Sequence, residues 1–194
     1  MFEDHDITRF GSRDPQFNFE VIRPKPGTIE TGRGEFRDMV QAVAMIPGTG
    51  EYSLAALPVF YDSGFGATSV ANVNAPGETP DLTRSLRDLS RDLPACRSVS
   101  LVVSWFGDDL RCGSCAVRPL VEQREIDGSP LPWTVAGWSR AIAGTVPQLD
   151  GRPVYGGTPS DASVNQSIAA LRAEGNEVKY YPFILMDQVA GNGR

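Results

Sequence analysis

Residues 98–106, SVSLVVSWF, constrain the fold of this chain more than any other stretch. The run is apolar and rich in β-branched residues. Such runs suit a strand covered on both faces, the usual situation in a parallel sheet. Gly107, Asp108 and Asp109 follow at once. In α/β folds the chemistry sits just past the carboxyl ends of parallel strands, so these residues mark the expected site.

Helical signals flank that strand. Thr79 is the expected N-cap of a helix, with Pro80 at its first position. Leu82, Leu86, Leu89 and Leu93 recur at i, i+4, i+7 and i+11 and form one stripe, with Arg84, Arg87, Asp88 and Arg91 opposite. Pro94 ends the helix by pushing its predecessor out of helical geometry. A second strand–helix–strand unit is expected near the end. In it, residues 153–155 form a short strand and Thr158-Pro159-Ser160-Asp161 a capping-box-like start. Ala162, Val164, Ile168 and Leu171 supply the helical spacing, Gly175 the C′ residue, and residues 178–186 the next strand, with Asp187 past its end. The crossover should be right-handed, and strands 99–106 and 178–186 should lie side by side in one layer.

The remaining segments read as turns and short strands. Phe17 to Arg23 alternates like a strand that Pro24 ends, and residues 25–35 form a linker. The run over 39–46, stopped by Pro47-Gly48, suits a short strand, with a helix over 37–45 as the alternative. Residues 116–126 and 131–135, around Asp127-Gly128, read as a hairpin inserted between parallel elements, and 136–152 as irregular. The fold expected is α/β: a partial (β/α) TIM-barrel-like parallel sheet over residues 76–194, preceded by a β-rich segment over 1–75. A closed (β/α)₈ barrel takes about 250 residues, so this sheet is either small and open or the first part of a barrel.

Several function classes drop out. Net charge is −6 and no basic stripe stands out, against sequence-independent nucleic-acid binding. No run approaches the roughly 18 apolar residues of a membrane helix, and the acidic Met1-Phe2-Glu3-Asp4 start is not a signal peptide. Three cysteines make no disulfide framework and fit cytosolic synthesis. The single histidine, His5, leaves Ser-His-Asp and Cys-His catalysis little to stand on.

Asp108 and Asp109 are candidate acid/base residues or metal ligands, or plain loop polarity. Asp187 is the matching carboxylate on the second strand. A retaining glycosidase needs two carboxyls about 5 Å apart, an inverting one about 6.5–9.5 Å. Cys112-Gly113-Ser114-Cys115 offers half a zinc or iron–sulfur site, a redox pair, a local disulfide or two reduced thiols, with Cys96 as candidate third ligand. Gly156-Gly157-Thr158 before a helix suits an anion, or a simple turn. Trp105, Trp133 and Trp138 suit sugar stacking or core packing.

Three stretches carry a family resemblance: residues 100–115 (SLVVSWFGDDLRCGSC), 152–159 (RPVYGGTP) and 181–193 (YPFILMDQVAGNG). They resemble the start of the TIM-barrel-like domain of gene-transfer-agent tail proteins, large baseplate proteins of phage-like particles grouped as a glycoside hydrolase/phage tail family. Residues 6–11 (DITRFG) and 15–21 (PQFNFEV) resemble the end of the tail-hub domain before it. The resemblance implies a structural component of a tail baseplate or hub. Such a component is made in the bacterial cytoplasm, released in the particle, oligomeric in assembly, and in contact with other tail proteins and with the host envelope. The alternatives are a glycan-degrading hydrolase that uses carboxylates at strand ends, and a C-x-x-C metal or redox module. Family proteins extend further on both sides, so this chain is expected to be an internal slice. Glycosidase barrels commonly place their catalytic acids on later strands. The resemblance therefore assigns no catalytic residue here, and no role to Cys112 and Cys115. A parallel sheet cut before closure should be marginally stable or associate through its edge.

Overall fold

The structure is a computed structural model that describes residues 36–187; the strand expected at 17–23 lies outside those residues. One helical turn, α1 (Phe36–Met39), leads into β1 (Ala42–Met45). Two short strands, β2 (Phe60–Asp62) and β3 (Thr68–Val70), come before helix α2 (Asp81–Asp92) and the long strand β4 (Ser98–Gly107). Eight two-residue strands follow: β5 (Val117–Arg118), β6 (Leu120–Val121), β7 (Gly128–Ser129), β8 (Thr134–Val135), β9 (Trp138–Ser139), β10 (Gly144–Thr145), β11 (Gln148–Leu149) and β12 (Arg152–Pro153). Helix α3 (Asp161–Ala173) and strand β13 (Glu177–Met186) close the described chain.

The central sheet has the order β1-β4-β13, all parallel. Its long register runs from Glu177 beside Ser98 to Met186 beside Gly107, so the two long apolar runs are neighbours over their whole length. β5 adds an antiparallel pair at the end of β4, Gly107 opposite Val117, and makes the sheet mixed. The class is α/β, and the described residues form no closed barrel. β1 lies upstream of residue 76, so the segment expected to be a separate β-rich region contributes a strand to this sheet.

β4 is buried on one face through Val103, whereas the other is only half-buried until Phe106, which is 0% exposed and packs with Leu120 and Val146. Val99, Leu101 and Val103 are at most 1% exposed, whereas Ser98, Ser100, Val102 and Ser104 on the other face are half-buried. Side chains alternate along a strand, and the serines of SVSLVVS mark that second face. The buried face carries the main core: Leu82 and Leu86 of α2 and Val164 and Leu171 of α3 pack with Val99, Leu101 and Val103. Each such side chain contributes roughly 1.5–3 kcal/mol by leaving water.

Both helix starts shift from the expected positions. α2 begins at Asp81 with Pro80 at the N-cap, one residue late, and has no side-chain cap. The Asp81 carboxylate instead accepts from the backbone N–H and side-chain amide of Asn74 and ties down the preceding loop. α3 is capped by Ser160, whose hydroxyl accepts from Ser163 N at 3.2 Å, and not by Thr158. Thr158 is buried and accepts from Leu120 N. The C-terminus of α3 ends as expected: Gly175 takes φ +81, its N–H reaches Arg172 O, and Asn176 N reaches Leu171 O, a Schellman pair.

The region between β4 and α3 departs most from expectation. No hairpin spans 116–135. β5 pairs with β4, β6 runs parallel to β10, β7 joins β2, and β8 pairs with β9. Residues 136–152, expected to be irregular, carry β9 to β11. β12 pairs with β11 rather than entering the parallel sheet before α3. The crossover into β13 therefore starts from β4 and carries residues 108–160 as an insertion, whose Val121, Leu131, Trp133 and Val135 share a second core with Tyr52 and Val59 from the segment before β2. No helix among the described residues is long and apolar enough to cross a membrane.

Candidate functional site

Because Gly107 and Met186 are register partners, Asp108 and Asp187 leave adjacent parallel strands together. Asp187 N donates to Gly107 O at 2.8 Å and holds the two strand ends in step. Arg118, on β5, is aimed at both acids. Its Nη2 lies 3.2 Å from Asp187 Oδ2 and its Nη1 3.9 Å from Asp108 Oδ2. Asp108 also accepts from Ala116 N at 2.8 Å through Oδ1. Asp109 turns elsewhere. It is 8% exposed and accepts from Arg111 N at 2.9 Å, Nε at 3.0 Å and Nη2 at 2.5 Å. The structure thus unites Asp108 and Asp187 through an arginine that the sequence reading did not single out, and separates Asp109 from them. A glycosidase pair needs one acid that carries a proton to the leaving group. Here a fixed positive charge stands between the two carboxylates. Arg118 Nε is buried without a hydrogen-bond partner, so the guanidinium is fixed by its two outer nitrogens.

The cysteines separate into two groups. Cys112 is exposed and Cys115 half-buried, both free, on one helical turn where Ser114 N and Cys115 N donate to Arg111 O at 2.9 and 3.0 Å. Cys96 is buried in the main core, its thiol 3.6 Å from Ser98 O, before β4 begins. The ten residues of β4 at about 3.3 Å each put Cys96 roughly 30 Å from the turn, so no single ion touches all three thiols. Among the described residues no group of three or more His, Cys, Asp and Glu side chains gathers as metal ligands.

The two glycines before α3 serve close packing. A Cβ on Gly156 would lie 2.3 Å from Gly50 N, and Gly157 N donates to the Glu122 carboxylate at 3.2 Å, so a carboxylate already takes the N–H offered to an anion. Of the tryptophans, Trp133 is fully buried and donates to Thr158 O, and Trp138 lies at the surface. Trp105 donates to the Tyr180 hydroxyl at 2.7 Å and borders a cavity of about 310 Å³ with Asn165 and Ile168.

The strongest polar feature had no sequence signal. Glu51, between β1 and β2, and Arg140, in the insertion, whose side chains are 0% and 4% exposed, form a two-pronged ion pair. Arg140 Nε also donates to Asp127 at 2.9 Å, Nη1 to Gln123 O at 2.6 Å and Nη2 to the Tyr52 hydroxyl at 3.1 Å. Glu51 accepts in addition from Glu122 N at 2.6 Å and Tyr61 Oη at 3.4 Å. Its carbonyl takes Ser160 N, which fastens the network to the start of α3. Burial raises the Tyr52 and Tyr61 phenols well above their ordinary value; Asp127 adds to this for Tyr52, and Glu51 for Tyr61. Burial works against the Arg140 charge, but Glu51 and Asp127 outweigh it and hold the guanidinium above its usual value. Burial likewise opposes ionisation of Asp127, and donors from Trp133, Arg140, Tyr52 and Gly128 overcome it and lower the carboxyl. Every member is satisfied within the network, which makes it a brace rather than a reaction centre.

Compared with protein-family models, the chain matches none, and it matches no curated protein.

Proposed function

We propose that this chain is a structural module of the tail baseplate or hub of a phage-like gene-transfer particle. In this reading its TIM-barrel-like sheet works through contacts with other tail proteins, and its place is the particle tail. β13 carries the proposal. It is ten residues long, and Tyr180, Tyr181, Phe183 and Ile184 stand 46–51% exposed along it. Among the described residues β4 pairs with one side of β13 and no strand pairs with the other. A long apolar edge of this kind is a template for association. The motifs at 100–115, 152–159 and 181–193 point to the same family of assemblies.

The hydrolase alternative has one observation in its favour, the meeting of Asp108 and Asp187 at one strand end. Arg118 between them supports a structural use of both acids. The test is co-sedimentation of the tagged chain with purified tail particles. Binding is expected, together with its loss in a Phe183→Glu/Ile184→Glu variant whose circular dichroism matches the parent. Failure to co-sediment refutes the assembly role. Clearing of purified peptidoglycan that Asp108→Asn or Asp187→Asn abolishes establishes the hydrolase in its place.

A further inference from the structure

The turn that bears Cys112 and Cys115 does not stand alone; it folds back over the ends of β4 and β13. Asp108 N donates to Ala116 O and Ala116 N to Asp108 Oδ1, which closes the loop at its base. Inside the loop Cys115 lays its sulfur over Gly107. A Cβ on Gly107 would fall 2.8 Å from Cys115 Sγ and 3.5 Å from Met186 Sδ. Two sulfurs therefore crowd the space left open by a missing side chain, with Ile184 Cγ2 as the apolar wall at 3.6 Å from the same point. Cys112 is three residues before Cys115 on the same turn, whose Ser114 and Cys115 N–H groups both donate to Arg111 O.

The donor set differs from the one expected from sequence. Cys96 is removed by the length of β4, and Met186 takes its place. Nearby carboxylates are engaged elsewhere: Asp109 with Arg111, Asp108 and Asp187 with Arg118. What remains is two thiols and a thioether. Zinc prefers four ligands drawn from thiolate, imidazole and carboxylate, whereas soft thiolate and thioether ligands select copper(I).

We infer that Cys112, Cys115 and Met186 form a three-sulfur site for a soft monovalent cation, copper(I) in the first instance. Binding displaces both thiol protons to solvent and changes no oxidation state. The inference stands on this loop alone and does not depend on an assembly role.

The experiment is an anaerobic titration of the reduced chain against the coloured copper(I)–bicinchoninate complex. One copper per chain should leave the probe. Cys112→Ser/Cys115→Ser should abolish the transfer, Cys96→Ser should leave it unchanged, and Met186→Leu should weaken it about tenfold as one of three soft donors is lost. Leucine conserves the volume of methionine, so the fold should survive that change, and circular dichroism verifies it. Three results would each overturn the site: copper taken up equally by the double serine variant, a Met186→Leu affinity equal to the parent's, or tighter retention of zinc than of copper in a parallel competition.

Discussion

Replacing Arg140 with methionine removes the only cation that reaches Glu51 among the described ion pairs while leaving the carboxylate fully buried. At the 3.2 Å Nη1–Oε1 separation an effective dielectric of about 20 corresponds to roughly 5 kcal/mol of attraction. Desolvation of both ions offsets much of this in the intact pair. It is not recovered when one partner goes, and breaking a buried pair costs about 3–5 kcal/mol. Glu51 would keep Glu122 N and Tyr61 Oη as donors, which places Arg140→Met in the lower part of that range, at about 3 kcal/mol. Glu51→Gln should be milder, about 1.5–3 kcal/mol, because Arg140 retains Asp127 and Gln123 O. The double change Glu51→Met/Arg140→Met should be more stable than Arg140→Met alone, since it strands no charge at this pair. Urea unfolding reads all three as midpoint shifts at constant slope. The reasoning fails if Arg140→Met costs under about 0.5 kcal/mol, as a surface substitution would, or if Glu51→Gln is the worse of the two.

Other outcomes follow from the same geometry. Gly156→Ala puts a methyl carbon 2.3 Å from the Gly50 backbone nitrogen, which cannot swing away, and should cost about 3 kcal/mol or more; Gly113→Ala, with nothing within 4 Å, should be near neutral in the same thermal melt. Ser160→Ala removes the α3 cap and should cost about 1 kcal/mol in urea. The Asp127 carboxyl is lower in the folded protein than in the unfolded chain, where it is about 3.9. Its stabilising contribution is therefore complete above that pH and lost as pH falls through the folded value, and the stability gap between the parent and Asp127→Asn should narrow below about pH 4. Tyr52 and Tyr61 are raised on folding, so their contribution is complete below the ordinary phenol value of about 10 and lost above it. In a spectrophotometric titration of the folded protein, Tyr52→Phe and Tyr61→Phe should leave the native phenolate step unchanged, and a reduced step in either variant would contradict this burial.

The frame of the fold was legible because it is built from long periodic elements. The leucine stripe of α2 and the two apolar runs of β4 and β13 each extend a signal over about nine residues or more, and such signals survive reading without a partner, as does the local stop that Gly175 puts on α3. The two acids at the strand ends followed from that frame, since one register sets both. The insertion was illegible for the opposite reason. A two-residue strand has no period, and its pairing is decided by side chains distant in sequence. Glu51 lies 89 residues from Arg140, in a segment whose local pattern suggested turns and short strands. That ion pair accounts for the order of the insertion. Arg140 gathers Gln123, Asp127 and Tyr52, while Glu51 gathers Glu122, Tyr61 and, through its carbonyl, Ser160 at the cap of α3. The strand-end site depends on the result. β5, which brings Arg118 to Asp108 and Asp187, is separated by a single residue from β6, and the Leu120 and Glu122 backbone N–H groups are held by Thr158 and Glu51. Glu51 thus reaches the carboxylate site through four residues of chain, and loosening it should free Arg118 from its acids before the parallel sheet itself gives way.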